Sequence, residues 1–432
     1  MFVLRSWSHR MRFHRYNFFF HFDLYDELGK AMSHRSLWSL LRSFLILKSI
    51  QLTIIYFTPS RFDTSSQLII DELASSSSTA SPYNDIITTI LNKLITWDSV
   101  YFNDLFVNDI AYEHQFVFCP GWIKLISLLP STNYYQLQLW SILISNGDHF
   151  ASVVVLYYLS KTIYDSKISY IASLMMVISP AGVFLTTNYS ENLSNLTTLL
   201  TIYLYYKAID FNNVTTRSNK SIKSIWLYLL SGIVCAFSFT VRANSLLLGI
   251  LYLVDLYDFS IIDQNLRSSV LSIITGSILG TTFLGQTKYH YLTFCPQRQG
   301  WCLNKFPSLF SYAQSHYWDN GFLSYWSLNN IPNFILVAPV LLWNCYSVRT
   351  MWKVLPQYRK LLPLVVLNAL IIIGGVFFWN VQILNRITSF SPLIYWTLAL
   401  NYKKPWFKYI LGYMLTWNLM QTALFAAFLP PA

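Results

Sequence analysis

Apolar segments of about twenty residues recur along most of this chain, and nothing else in it constrains the fold so strongly. The bilayer core is roughly 30 Å thick, and a helix needs about 20 apolar residues to cross it. No water is available there for backbone N–H and C=O groups, so such segments must satisfy them internally as helices. Only 11% of the 432 residues are charged and 54% are hydrophobic, whereas soluble domains carry about 25% charged residues. The expected fold class is therefore an all-α polytopic membrane protein. Candidate spans fall near 37–57, 136–160, 168–187, 192–208, 225–243, 244–257, 269–287, 332–348, 361–380, 388–402 and 407–428. They amount to about 10–11 transmembrane helices. A basic segment, 1–36, precedes one integral membrane domain spanning 37–432.

The net charge of +11 does not point to nucleic acid. Arg5, Arg10, Arg12, Arg15, Lys30 and Arg35 all precede the first span, as in a cytosolic anchor facing anionic lipid. Segment 1–36 lacks the apolar core of a cleavable signal peptide, so the first helix is expected to act as an uncleaved anchor. With the N-terminus in the cytosol and spans alternating, twenty of the thirty Lys and Arg residues fall on the cytosolic side and six on the other. The remaining four (Arg42, Lys48, Arg242 and Arg386) lie in or beside spans. This bias follows the positive-inside pattern. It places two large loops, about 59–135 and 288–331, together on the non-cytosolic face.

The first loop holds the densest chemistry. Between Trp97 and Trp122 it gathers Asp98, Asp104, Asp109, Glu113 and His114 among aromatics. Apolar residues at 97, 100, 101 and 105 suit an amphipathic helix in the membrane interface. Asp98 has two readings: a helix N-cap, which Asp favours, or a carboxylate that takes a proton from a substrate hydroxyl. Tyr112, Glu113 and His114 are candidate substrate contacts, against the plainer reading of a solvated loop. Farther on, Pro180 to Glu191 leaves a span on the loop side, with Asn188 and Glu191 near membrane depth. An ionisable group there needs a partner or water. Arg242, followed by Asn244, stands at the same end of another span, and so does Arg386. Arginine offers a planar fork suited to phosphate; pairing of Arg242 with Glu191 is the structural alternative. The second loop repeats the aromatic density around Tyr317 and Trp318.

Cys235 and Cys345 sit in apolar segments and read as packing residues. Cys295 and Cys302, seven apart in the second loop, are a candidate disulfide if that loop is luminal, and free thiols otherwise. No metal-ligand spacing, P-loop or dinucleotide fingerprint is present, so no metal or cofactor is expected. A transporter or lipid flippase is the rival of another class. It would favour internal repeats and mid-span charges, whereas here no repeat is evident and the charges of interest gather at one face.

The stretches WDSVYF, YEHQFVFCPG, SPAGVFLTTNYSE, VRANS, YWDNGFLSYW, IPNFILVAPV, VQILNRITSFSPLIYW and KYILGYMLTWNL occur in that order from Trp97 onward. As a series they resemble the PIG-V family, mannosyltransferases of glycosylphosphatidylinositol (GPI) anchor assembly. The chain departs from the family pattern at Ala243 and Ser245, where Ser and Gly are usual, and at Cys119, where an aromatic is usual. Its short length resembles fungal members. The resemblance implies a GT-C glycosyltransferase fold in the endoplasmic reticulum membrane. It implies transfer of a second mannose, in α1,6 linkage, from dolichol-phosphate-mannose to a GPI precursor, with Asp98 as base in an inverting displacement. Trp97, Tyr112, Glu113, His114, Asn188, Glu191, Arg242, Asn244, Tyr317, Trp318 and Arg386 are the substrate-binding candidates. The donor is a substrate, so no cofactor is needed, and a small membrane partner subunit is implied. The alternative within the fold class is another dolichol-phosphate-sugar transferase, acting on N-glycans or on protein.

Overall fold

The computed structural model describes residues 34–430, except 60, 77–80, 109, 131–132, 210–221 and 296–299. The basic segment 1–33 and Asp109 therefore lie outside the described residues. The described chain is helical, and seven helices are long and apolar enough to cross a membrane. They are Arg35–Phe57, Tyr134–Lys161, Ile222–Val241, Ala243–Ile262, Leu266–Phe294, Leu328–Val354 and Arg359–Phe377.

The difference from the expected 10–11 has local causes. The apolar run 168–187 does not form one span. Its helix, Ser166–Val177, ends before Ser179-Pro180 and gives way to a 3-10 turn at Gly182–Leu185. Gly182 has φ +52°, and a Cβ there would strike the Gln421 side chain, whose Oε1 accepts from Val183 N at 3.1 Å. Both features require glycine. The run 388–402 likewise shortens to Pro392–Leu400, because the residue before a proline is held extended and Ser391 has ψ 112°. Glu191–Ile209 and Phe407–Ala426 are 19 and 20 residues long. They bury polar residues such as Asn192, Asn195, Thr198, Asn418 and Gln421, which lowers their hydropathy.

The polarity of the bundle is inverted relative to a soluble protein. Trp226, Leu284, Ile335 and Leu342 are exposed on the outer surface, where only lipid tolerates so much apolar area. Small hydroxyl residues line the contacts inside. Thr197 and Thr198 meet Ser238 at 2.9 and 3.2 Å, and Ser238 meets Ser245 at 2.8 Å. Without a hydrophobic drive between helices in lipid, such close approach and hydrogen bonding hold them together. Gly232 permits one of these approaches, since a Cβ there would lie 2.9 Å from the Thr275 carbonyl oxygen.

At one end of the bundle the two large loops form a cap. The first folds into helices Ser65–Ser76, Asp85–Lys93, Asp98–Val107 and Pro120–Ser127, with a 3-10 turn at Glu113–Phe118. It has its own core, in which Leu94, Phe102, Phe106 and Trp122 pack with Phe184, Tyr189 and Phe425 of the bundle. The second loop starts later than the sequence suggests, because helix Leu266–Phe294 runs seven residues past 287. Its helix Leu309–Trp318 rests on the 3-10 turn of the first loop, and Phe116, Phe294, Trp301 and Leu309 form a joint cluster. The two loops thus lie on the same end, in contact. Cys295 and Cys302 are bonded, with Cα atoms 5.4 Å apart.

Replacing both Cys295 and Cys302 with serine should lower stability by about 2.5 kcal/mol, the loop-closure value for so short a loop. The check is the thermal midpoint of detergent-solubilised protein against the parent. An unchanged midpoint would mean that the cluster around Trp301 holds the loop unaided.

Candidate active site

Four charged side chains from four separate segments converge where the cap meets the bundle. Asp98 is the first residue of helix Asp98–Val107, and Glu191 opens Glu191–Ile209. Arg242 follows Ile222–Val241 in extended backbone, with φ −151°. Arg386 lies on the short turn Leu384–Ile387. Arg386 Nη2 is 2.8 Å from Asp98 Oδ2 and 2.5 Å from Glu191 Oε1, which also accepts from Arg386 Nε at 2.6 Å. Arg242 Nη1 reaches the same Oε1 at 2.6 Å. Arg242 Nε donates to Asn244 Oδ1 at 3.4 Å.

The pair Arg242–Glu191, read from sequence as the structural alternative, is present, and Arg386 extends it to Asp98. Burial alone would raise the Glu191 carboxyl, but Arg242 and Arg386 hold it below its ordinary value. Burial alone would likewise lower the Arg386 guanidinium, and Glu191 and Asp98 keep it above its ordinary value. The guanidinium also lies over the rings of Phe184 and Tyr189, at 4.4 and 5.0 Å, a favourable cation–π arrangement. Removing one partner of such a buried pair costs about 3–5 kcal/mol, because it strands the other charge.

Exposure separates the two carboxylates. The Glu191 side chain is 2% exposed and that of Asp98 32%. Asp98 is open to its surroundings, while Glu191 is the shared acceptor for two cations. One Glu191 oxygen takes all these bonds; Oε2 is buried without a hydrogen-bond partner.

Asp98 is not the helix cap. The cap position belongs to Trp97, whose side chain makes no capping bond. Trp97 sits at φ 54° and ψ −128°, a conformation costing about 1–3 kcal/mol in a bulky residue. It is held by the Phe428 ring at 5.4 Å and by an Nε1 bond to Leu429 O at 3.3 Å. This turn releases the Asp98 carboxylate from helix capping and leaves it for Arg386. The helix does not show the amphipathic face expected of it. It buries Ser99 and Asn103 as well as Phe102, Leu105 and Phe106.

The remaining candidates divide. Asn188 is buried and accepts from Ser99 Oγ at 2.6 Å. Tyr112, His114 and Tyr317 form an aromatic group on the cap, with His114 stacked on Tyr112 at 5.8 Å and 5.3 Å from Tyr317. Tyr101, one helical turn from Asp98 and so on the same side of its helix, touches His114 and Phe118. Phe118 contacts Trp318. Glu113 instead turns inward, is 5% exposed and accepts from Trp301 Nε1 at 3.1 Å. It joins the two loops. Cys119 is buried, which pushes its thiol up to about 11. Among the described residues, no group of three His, Cys, Asp or Glu side chains is placed to hold a metal ion.

Sequence reasoning missed Ser99, Asn103, Gln115 and Tyr101. Gln115 Oε1 accepts from both Ala111 N and Tyr112 N at 2.9 Å, which shapes the turn before the aromatic group. Uncharged polar side chains give no hydropathy signal. Helical spacing could have found Tyr101, three positions after Asp98, and the pair Ser99 and Asn103, four apart on the same helix, but not Gln115.

The family model described as "Mannosyltransferase (PIG-V)" matches residues 37–432. A protein of Candida albicans named GPI mannosyltransferase 2 is 66% identical over 92% of this chain and 100% of its own length. One of that name from Saccharomyces cerevisiae is 34% identical over 90% of this chain and 98% of its own. Among solved structures, the oligosaccharyltransferase of Archaeoglobus fulgidus superposes with a TM-score of 0.50 at 11% identity, covering 90% of this chain and 54% of that one. That likeness concerns the fold alone, the GT-C arrangement of a multi-pass membrane glycosyltransferase. From its match across the whole described bundle and its near-complete identity span with the Candida protein, the chain belongs to the PIG-V mannosyltransferase family.

Proposed function

We propose that this protein adds the second mannose of the GPI anchor, moving it from dolichol-phosphate-mannose to the one-mannose GPI precursor in α1,6 linkage. The observation that carries the mechanism is the Arg386 bridge between an accessible carboxylate, Asp98, and a buried one, Glu191. The substrate assignment draws on the printed names of the relatives, GPI mannosyltransferase 2.

The reaction is a single inverting displacement. The acceptor hydroxyl oxygen forms a bond to the anomeric carbon as the bond from that carbon to the donor phosphate oxygen breaks. The hydroxyl proton goes to Asp98, and dolichol phosphate leaves. Negative charge disappears from the carboxylate as it grows on the phosphate. Arg386, which already holds Asp98, is placed to transfer its hydrogen bonding to the phosphate, with Arg242 beside it. Preset donors of this kind stabilise charge where it develops. A phosphate leaving group needs no separate acid, and the donor brings its own activation, so no cofactor enters. The aromatic group at Tyr112, His114, Tyr317 and Trp318, reached from Asp98 through Tyr101, is the surface for the acceptor glycan.

The active end faces the lumen of the endoplasmic reticulum in this reading, with the N-terminus cytosolic. The Cys295–Cys302 bond supports it, since disulfides persist in oxidising compartments, as does the distribution of Lys and Arg. A small membrane partner subunit belongs to the same proposal.

The test is complementation of cells depleted of their own family member. Asp98→Asn, at normal protein level, should lower transfer by about 10²–10⁴-fold, the usual worth of a general base, and one-mannose GPI precursors should accumulate. Full activity would remove Asp98 as base, and unchanged precursors on depletion itself would overturn the GPI assignment. Arg386→Lys keeps the charge but cannot span Asp98 and Glu191 together. Turnover measured on the purified protein should fall about 10²–10³-fold, and a loss confined to acceptor KM would contradict its role at the phosphate.

A further inference from the structure

The helix that presents Asp98 starts without a cap, so something else must hold its first turn. Ser99, the next residue, is fully buried, as are Asn103 and Asn188. Asn103 Nδ2 donates to Ser99 O at 2.7 Å and to Ser99 Oγ at 3.1 Å. Because Ser99 Oγ accepts there, its own proton goes onward to Asn188 Oδ1, at 2.6 Å. At the far end, Tyr134 Oη donates to Asn103 Oδ1 at 3.4 Å. The direction is unambiguous: Tyr134 to Asn103 to Ser99 to Asn188. Asn188 is fixed from its other side by Trp122 Nε1, which donates to its carbonyl oxygen at 2.9 Å.

The ends of this chain matter because of their neighbours. Ser99 follows Asp98, and Asn188 stands three residues before Glu191, the anchor of Arg386. The 2.6 Å bond between Ser99 and Asn188 therefore clamps the segment that carries one carboxylate to the segment that carries the other. It lies one residue from the Asp98–Arg386–Glu191 bridge on one side and three on the other, and shares none of its atoms. All four side chains are removed from water, where a hydrogen bond is electrostatically stronger and its loss leaves polar atoms unpaired.

We propose that Ser99 and Asn188, backed by Asn103 and Tyr134, are positioning residues that aim the Asp98 carboxylate at the acceptor hydroxyl. This rests on the reading of Asp98 as the base. They touch no substrate in this role and act through the first turn of the Asp98 helix. A displacement of an angstrom at the reacting group is enough to cost much of the rate. The effect should therefore fall on turnover and spare binding.

The experiment is steady-state mannosyl transfer by the purified full chain, with dolichol-phosphate-mannose and the one-mannose acceptor. Ser99→Ala and Asn188→Ala should each lower kcat on the order of tenfold, with KM for both lipids within about twofold. The double variant should be no slower than the worse single one, because both break the same bond. Thermal midpoints should stay within a few degrees of the parent. Full kcat in Ser99→Ala overturns the proposal. So do losses that multiply in the double variant, or that follow a falling midpoint, since either marks a merely structural network. A KM rise in Asn188→Ala alone would make Asn188 a substrate contact and remove it from the chain. If Ser99→Ala does not accumulate, Tyr134→Phe deletes only the outermost donor and should lower kcat by about twofold at unchanged KM; unchanged kcat there overturns the proposal. Asp98→Asn is run alongside: its full activity would overturn the base assignment itself, a result distinct from any of these.

Discussion

One buried oxygen organises this site. Glu191 Oε1 takes bonds from Arg242 and from two nitrogens of Arg386, and every other element of the site is placed by reference to that contact. A lone carboxylate at this depth would be costly, and two guanidiniums close together would repel each other. Their joint burial is tolerable because each supplies what the other lacks. With Asp98 included, two positive charges face two negative ones. Of these four groups only Asp98 is substantially open, so the arrangement leaves one accessible carboxylate while the other holds the cations.

The surrounding fold makes that arrangement rigid. The four charged residues come from segments far apart in sequence, and hydroxyl contacts from Thr197 and Thr198 to Ser238 join the helix that Glu191 opens to the helix that Arg242 follows. Phe184 and Tyr189 supply faces for Arg386, and both belong to the segment between Gly182 and Glu191 that replaces an expected span. The helix ends before Pro180 and Gly182, and the irregular segment that follows carries both rings to Arg386. The disulfide-closed second loop rests on the 3-10 turn of the first, where Tyr317 and Trp318 meet His114 and Phe118.

Much of the site could be read from residue type alone. Asp98, Glu191, Arg242 and Arg386 stand out because charge is scarce in this chain and expensive near a membrane, so each survives there only with a partner or a task. The same logic could not say which pairs with which. It offered an Arg242–Glu191 pair and a two-arginine phosphate site as alternatives, and the structure contains the pair with Arg386 added to it. It also left Asp98 open as a cap; the structure puts Trp97 at that position, where its side chain makes no capping bond. Glu113 looked like a loop acid and is a buried partner of Trp301, because the second loop folds over it from nearly two hundred residues away.

Apolar segment length and charge scarcity, both written directly in the sequence, settled that this is a helical membrane protein with two large loops between spans. Those are local quantities: a window of twenty residues either can or cannot replace water with lipid. Tertiary structure decided how many of the runs are long helices, since Pro180, Gly182 and Pro392 break patterns that hydropathy alone would continue. It also decided that Asp98 meets Arg386 and that Ser99 meets Asn188. Those contacts join residues 288 and 89 positions apart. Nothing within either segment encodes the other's position; only the packing of the whole bundle does.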